Sequence, residues 1–141
     1  MADSNDALRR LLAATNRGVL VALKRDGRPQ LSNVNFAYLD GNIVVSVTDD
    51  RAKTRNLRRD PRASFYVTTD DFWAWVVAEG TAELTPVAVD VHDATVDELV
   101  AHYRAINGEH PDWDEFRAAM VTDRRLLAKV HVERVYGQPP G

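Results

Sequence analysis

Two Asp-Gly pairs, Asp26-Gly27 and Asp40-Gly41, each sit between segments rich in β-branched and alternating residues. Asp-Gly supplies the positive backbone angles of a tight hairpin at little steric cost, so each pair folds the chain back on itself. The flanks read as strands: Val19-Leu20-Val21-Ala22-Leu23, then about Pro29 to Leu39, then Asn42-Ile43-Val44-Val45-Ser46-Val47-Thr48. Three strands on two tight turns make an antiparallel meander. In the middle strand Gln30, Ser32, Val34, Phe36 and Tyr38 face one way. Leu31, Asn33, Asn35, Ala37 and Leu39 face the other.

The remaining chain alternates strands and helices. Ser4 or Asp6 can cap a first helix whose apolar stripe is Ala7, Leu8, Leu11 and Leu12. A strand is expected over Ala63-Ser64-Phe65-Tyr66-Val67-Thr68, and a long one from Phe72 to Leu84 with Trp73, Trp75 and Val77 on one face. Gly80 suggests a bulge in it. Val96, Leu99, Val100, Tyr103 and Ile106 follow helical spacing, and Gly108 is a natural stop. Pro111 suits the first turn of another helix through Phe116 and Met120. Leu126 to Tyr136 returns to strand, and residues 137–141 read as a tail. About six strands with inserted helices make a mainly β fold, a β-barrel with helical excursions.

The chain of 141 residues is read as one domain, 1–141. It has no cysteine, which excludes disulfides, thiol nucleophiles and cysteine-based zinc sites. No apolar run approaches the ~20 residues of a membrane span, and the acidic start Met-Ala-Asp-Ser-Asn-Asp is unlike a signal peptide. A cytoplasmic protein without a membrane partner is expected.

Within a net charge of −3, residues 51–62 form a basic island. Arg51, Lys53, Arg55, Arg58, Arg59 and Arg62 are opposed there only by Asp60. Asp49 and Asp50 are good N-caps and Asp60-Pro61 marks a stop, so a helix is expected from about Arg51 to Arg59. Cationic side chains at a helix N-terminus suit a phosphate. A solvated basic helix accounts for the same residues. The overall acidity argues against nucleic acid.

His92, His102, His110 and His131 are scattered without metal-ligand spacing, so no metal site is expected and each reads as a surface or internally satisfied histidine. Glu79 and Glu83 share a strand face but lie too far apart for a carboxylate dyad. No nucleophile elbow, Walker or Rossmann glycine pattern is present. What remains is the polar strand from Gln30 to Asn35, the basic helix start, and two tryptophans. That set suits a cofactor with a flat ring and a phosphate tail. Trp73 and Trp75 serve equally as core or interface residues.

Three stretches carry a family resemblance: Gly27-Arg28-Pro29-Gln30-Leu31-Ser32-Asn33-Val34, Arg51 through Ala63, and Ala78-Glu79-Gly80-Thr81-Ala82. They resemble the split-barrel flavin and deazaflavin oxidoreductases, a pyridoxamine-phosphate-oxidase-like group. Gly108-Glu109-His110-Pro111-Asp112-Trp113-Asp114 and Met120 through Arg125 resemble its actinobacterial, coenzyme F420-using branch. The resemblance implies a six-stranded antiparallel split β-barrel of the FMN-binding type. It also implies a homodimer with two cofactor sites at the subunit interface. Carried over, Arg51, Lys53, Thr54 and Arg55 would hold the cofactor phosphate. Ser32, Asn33, Val34 and Asn35 would line the ring edge, with Ser46 beside them. Trp73 and Trp75 would close the pocket from the partner subunit, and Asp114 would border it. Arg58, Arg59 or Lys24 would meet the anionic glutamate tail of F420, which FMN lacks.

The implied activity is hydride transfer from reduced F420 to an electron-poor small molecule, the cofactor carrying the hard chemistry. No catalytic residue and no proton donor is identified. The segment Glu133 to Gly141 lacks the Arg and His constellation that holds the vitamin phosphate in true pyridoxamine-phosphate oxidases. An FMN-dependent oxidase on the same fold and a non-catalytic carrier of F420 or flavin are the alternatives. Haem binding lacks an evident axial histidine.

Overall fold

The computed structural model describes residues 4–141. Helix α1, Ser4–Ala13, precedes strands β1, Arg17–Leu23, and β2, Pro29–Asn35. Asp6 falls in the first turn of α1 rather than at its cap; the Ser4 side chain lies outside what is described. The β1–β2 turn places Gly27 at φ +87° and is closed by Gly27 N–H donating to the Lys24 carbonyl. Strands β3, Ala37–Leu39, and β4, Asn42–Thr48, meet at Asp40-Gly41. Both turn residues have positive φ, 53° and 78°, the geometry that matches the twist of paired strands.

Both expected hairpins form, but the meander does not. The expected strand from Pro29 to Leu39 breaks at Phe36, so the sheet has seven strands rather than six. After β5 (Arg62–Thr68), β6 (Trp75–Leu84) and β7 (Arg125–Gln138), the order is β2-β1-β5-β6-β7-β4-β3. β2 and β3 occupy opposite ends of that order, yet only Phe36 separates them. The sheet must therefore curl until its ends approach, giving the antiparallel split barrel. Phe36 N–H leaves the ladder to donate to the Asn16 carbonyl at 2.8 Å. Its ring is fully buried inside the curl, 4.6 Å from Phe65 and edge-on to it.

The barrel interior takes alternate residues of each strand, among them Leu20, Ile43, Val45, Phe65, Val76 and Leu126. Leu8, Leu11 and Leu12 of α1 pack into the same cluster. A second apolar cluster lies on the outer face of β4 and β7, where Val44 and Leu127 meet helix α3 (Ala94–Asn107) and Phe116 of helix α4 (Trp113–Thr122). β4 is thus covered on both faces, which is why Ile43-Val44-Val45 is a continuous apolar run. Gly80 marks a register shift in the β6–β7 ladder, as expected. A Cβ there would stand 2.0 Å from the His131 carbonyl oxygen, so only glycine admits that approach.

Three boundaries differ from expectation. β6 begins at Trp75, because residues 70–74 form a turn with Phe72 at φ +76° and Trp73 projecting at 76% exposure. Trp73 therefore does not share a strand face with Trp75. Pro111 precedes the α4 cap, which is Asp112, its carboxylate accepting from Glu115 N–H. β7 runs through Gln138, since β6 supplies ladder partners for Gly137 and Gln138.

Candidate functional site

Helix α2, Ala52–Arg59, carries the basic island, and its N-cap is Arg51 with no side-chain cap bond. Neither expected aspartate caps it. The Asp49 carboxylate takes two guanidinium groups, Arg58 at 2.6 Å and Arg124 at 2.8 Å. Those bonds, Arg124 first, hold it below the usual carboxylate range. Asp50 accepts from the Thr48 hydroxyl. The first turn of α2 is thus free of carboxylate caps, which suits an anion better than the expected arrangement.

Successive residues of α2 point to different places. Thr54 and Leu57 form its buried face, and the Thr54 hydroxyl donates to the Thr48 carbonyl at 2.7 Å. Lys53 faces a cleft of about 430 Å3, with Asn33, Val34 and Asn35 of β2 and Ser46 of β4. Arg55 faces a separate groove of about 500 Å3 with Lys24, Arg25, Asn56 and Arg59. Arg59 is engaged there, bonding the Leu23 carbonyl and Asn56.

The main cleft has two walls of opposite character. β2 is an edge strand paired only with β1, so half its backbone groups and its Asn33 and Asn35 side chains are open. Opposite stand Leu99, Tyr103 and Ile106 of α3 with Phe116 and Met120 of α4. At the charged end Arg125 joins Lys53, its guanidinium 3.3 Å from the Ser46 hydroxyl. Burial depresses the Lys53 ammonium below its ordinary value, and the nearby charges of Arg51 and Arg125 push the same way. Three cations thus converge from two elements; Asp123 lines the same cleft, but among the described residues none of the three is ion-paired to a carboxylate, and an anion would relieve their repulsion.

Of the residues singled out by sequence, Asn33, Val34, Asn35, Ser46 and Lys53 meet in this cleft, with Arg51 beside them. Ser32 is not part of this lining; its hydroxyl accepts from the Gln30 amide. Thr54 is buried, and Arg55 looks into the second groove. Trp75 lies on the outer sheet face, 6.3 Å from Tyr66 and 6.1 Å from Tyr136. Asp114 is exposed in the first turn of α4, away from the cleft lining. Sequence reading missed Arg125 and the helical wall. The Arg124-Arg125 pair was visible, but Arg124 at φ +53° turns toward Asp49 and so separates the two guanidinium groups. Nothing local in the sequence signals that.

Of the histidines, His92 and His131 are exposed and His110 packs among Tyr103, Trp113 and Phe116. His102 is buried with Nε2 3.0 Å from the Val44 carbonyl oxygen. Among the described residues no three His, Asp or Glu gather as a metal site would require, and no helix is long and apolar enough to cross a membrane.

A family model described as pyridoxamine 5'-phosphate oxidase matches residues 4–138. Among solved structures, a conserved hypothetical protein of Mycobacterium tuberculosis aligns over 99% of this chain and 85% of its own, at 23% identity and a TM-score of 0.74. A heme binding protein of Mycobacterium smegmatis aligns over 97% of this chain at 26% identity and a TM-score of 0.72. This chain spans only 54% of that protein. An F420 reductase aligns over 91% of this chain and 94% of its own, at 23% identity and a TM-score of 0.67.

Proposed function

The chain belongs to the pyridoxamine 5'-phosphate oxidase family, and from that premise we propose that it is an oxidoreductase that takes coenzyme F420. Its substrate is an electron-poor small molecule. The observation that carries the reading is the meeting of Asn33, Asn35 and Ser46 with Lys53 and Arg125 in one cleft. The donor set fits the cofactor: amides and edge-strand backbone for a ring with polar edges, cations for a phosphate, and a cleft of ligand size.

Arg51, Lys53 and Arg125 hold the phosphate, and the carboxylate-free start of α2 adds its backbone N–H groups. Asn33, Asn35 and Ser46 fix the ring edge. Leu99, Tyr103, Phe116 and Met120 keep water from the ring and shape the space for the acceptor. Lys24, Arg25 and Arg55 in the second groove would hold the glutamate tail, which FMN lacks. Arg58 is left out of this role because Asp49 already holds it. When bound, reduced F420 supplies the hydride; the protein supplies orientation and electrostatics.

Purified protein titrated with F420 and FMN, followed by cofactor fluorescence, tests the assignment. Tighter binding of F420 is expected. Tight FMN binding with weak F420 binding would move the protein to the FMN-dependent oxidase reading, and F420 binding without oxidation by any acceptor would make it a carrier.

The site is completed by a second copy of the chain. The outer sheet face carries a cross-strand row of Val19, Tyr66, Val77 and Tyr136, with Trp75 tilted against Tyr66 and edge-on to Tyr136. Leu31, 62% exposed, extends it. Such a contiguous apolar face on a sheet is an interface signature, and the exposed Trp73 turn lies at its margin. Sedimentation of wild type is expected to give a dimer, and Trp75→Ala a shift toward monomer with weaker cofactor binding. A Trp75→Ala variant unchanged in both would remove this face from the assembly.

A further inference from the structure

The helical wall of the cleft holds a titratable side chain that the proposed reaction leaves without a role. His102 is 6% exposed and lines two clefts. One is the main cleft with Lys53 and Arg125; the other, of about 220 Å3, is bounded by Val44, Leu127, Glu98 and Lys129. A carbonyl oxygen only accepts, so the contact with Val44 places the hydrogen on Nε2. Nδ1 is then the nitrogen left to take a proton.

We propose that His102 is the proton-uptake group of this site: when an anion fills the main cleft, Nδ1 takes a proton. The inference rests on the anion-binding reading given above and supplies the proton source that reading lacks. The charges around the ring set the coupling. Arg125, Lys53 and Asp123 line the main cleft with His102, and Arg125 is the charge that acts on its ring. Asp40 and the Glu98–Lys129 pair, closed at 2.8 Å, line the smaller cleft with it. Burial holds the imidazole below its usual value, the Val44 bond opposes this, and the Arg125 charge adds to it. An anion between Lys53 and Arg125 cancels the cationic field that disfavours the imidazolium, so ligand and proton bind cooperatively. Proton and anion then arrive together, and the imidazolium stands in the cleft wall as the donor for an acceptor that has received a hydride.

The test is an NMR titration of the histidine rings in the full chain, from about pH 5 to about pH 8, with and without sulfate, a dianion throughout that range. His102 is assigned by its through-space contact with Val44, with His102→Gln as a second assignment, so the experiment stands if the variant fails to fold. Sulfate is expected to tighten proton binding at His102 about tenfold, to leave His92 and His131 unmoved, and to lose this effect in Lys53→Ala. Sulfate that shifts Val34 and Ser46 resonances without moving the His102 titration overturns the proton-uptake role while the anion site stands. Sulfate that shifts no cleft resonance overturns the anion site and the inference with it.

Discussion

Replacing Lys53 by alanine will weaken binding of both F420 and FMN by about ten- to a hundredfold, the loss of one charge-assisted contact worth roughly 1.5–3 kcal/mol. Arg125→Ala will do the same, because its guanidinium reaches the same end of the cleft. Arg55→Ala will separate the two cofactors. It faces the second groove, so under the proposed placement of the glutamate tail it will weaken F420 and leave FMN nearly unchanged. Fluorescence titration of the three variants with both cofactors reads the pattern. Equal losses for both cofactors in Arg55→Ala would place the phosphate on the other side of α2. No loss in either Lys53→Ala or Arg125→Ala would end the phosphate assignment altogether.

Phe36→Ala will cost about 3–5 kcal/mol, the range for deleting a fully buried aromatic ring. Against a typical domain stability of roughly 5–15 kcal/mol that removes a large share. The position is more exacting than an ordinary core site. Phe36 is the one residue between β2 and β3, so its ring anchors the point where the curled sheet brings its two ends together. Its contact with Phe65 is lost in the same substitution. Urea denaturation of Phe36→Ala beside Val89→Ala gives the measure. Val89 is 73% exposed and its loss is expected to fall within about 0.5 kcal/mol. A Phe36 variant as stable as the Val89 variant would show that the strand switch does not depend on packing inside the curl.

Much of the fold was legible because its signals are local. The Asp-Gly turns, the helix at residues 52–59, the stop at Gly108 and the bulge at Gly80 each follow from backbone chemistry within a few residues. Trp73 was misplaced for a related reason: Phe72 adopts a positive φ that a bulky residue rarely takes, so nothing in composition marks the turn. Placing Asp49 and Asp50 as caps failed because Asp49 has stronger partners, one of them Arg124, 75 residues away in the chain. Local capping preference does not register such a competitor.

The candidate site divides in the same way. Asn33, Asn35 and Ser46 were named by the family resemblance, on strands whose alternation is readable. That Lys53 and Arg55 diverge was also implicit, since residues two apart on a helix do not share a face. Which of the two meets the polar strand was not. Arg125 and His102 reach the cleft only after β7 pairs with β4 and α3 packs on the outer sheet face. By itself the sequence determined the turns, the strands and the basic helix, because those depend on neighbours along the chain. The tertiary structure alone decided how the sheet closes through Phe36 and which cations share one cleft. Those outcomes depend on burial and charge between residues far apart in sequence.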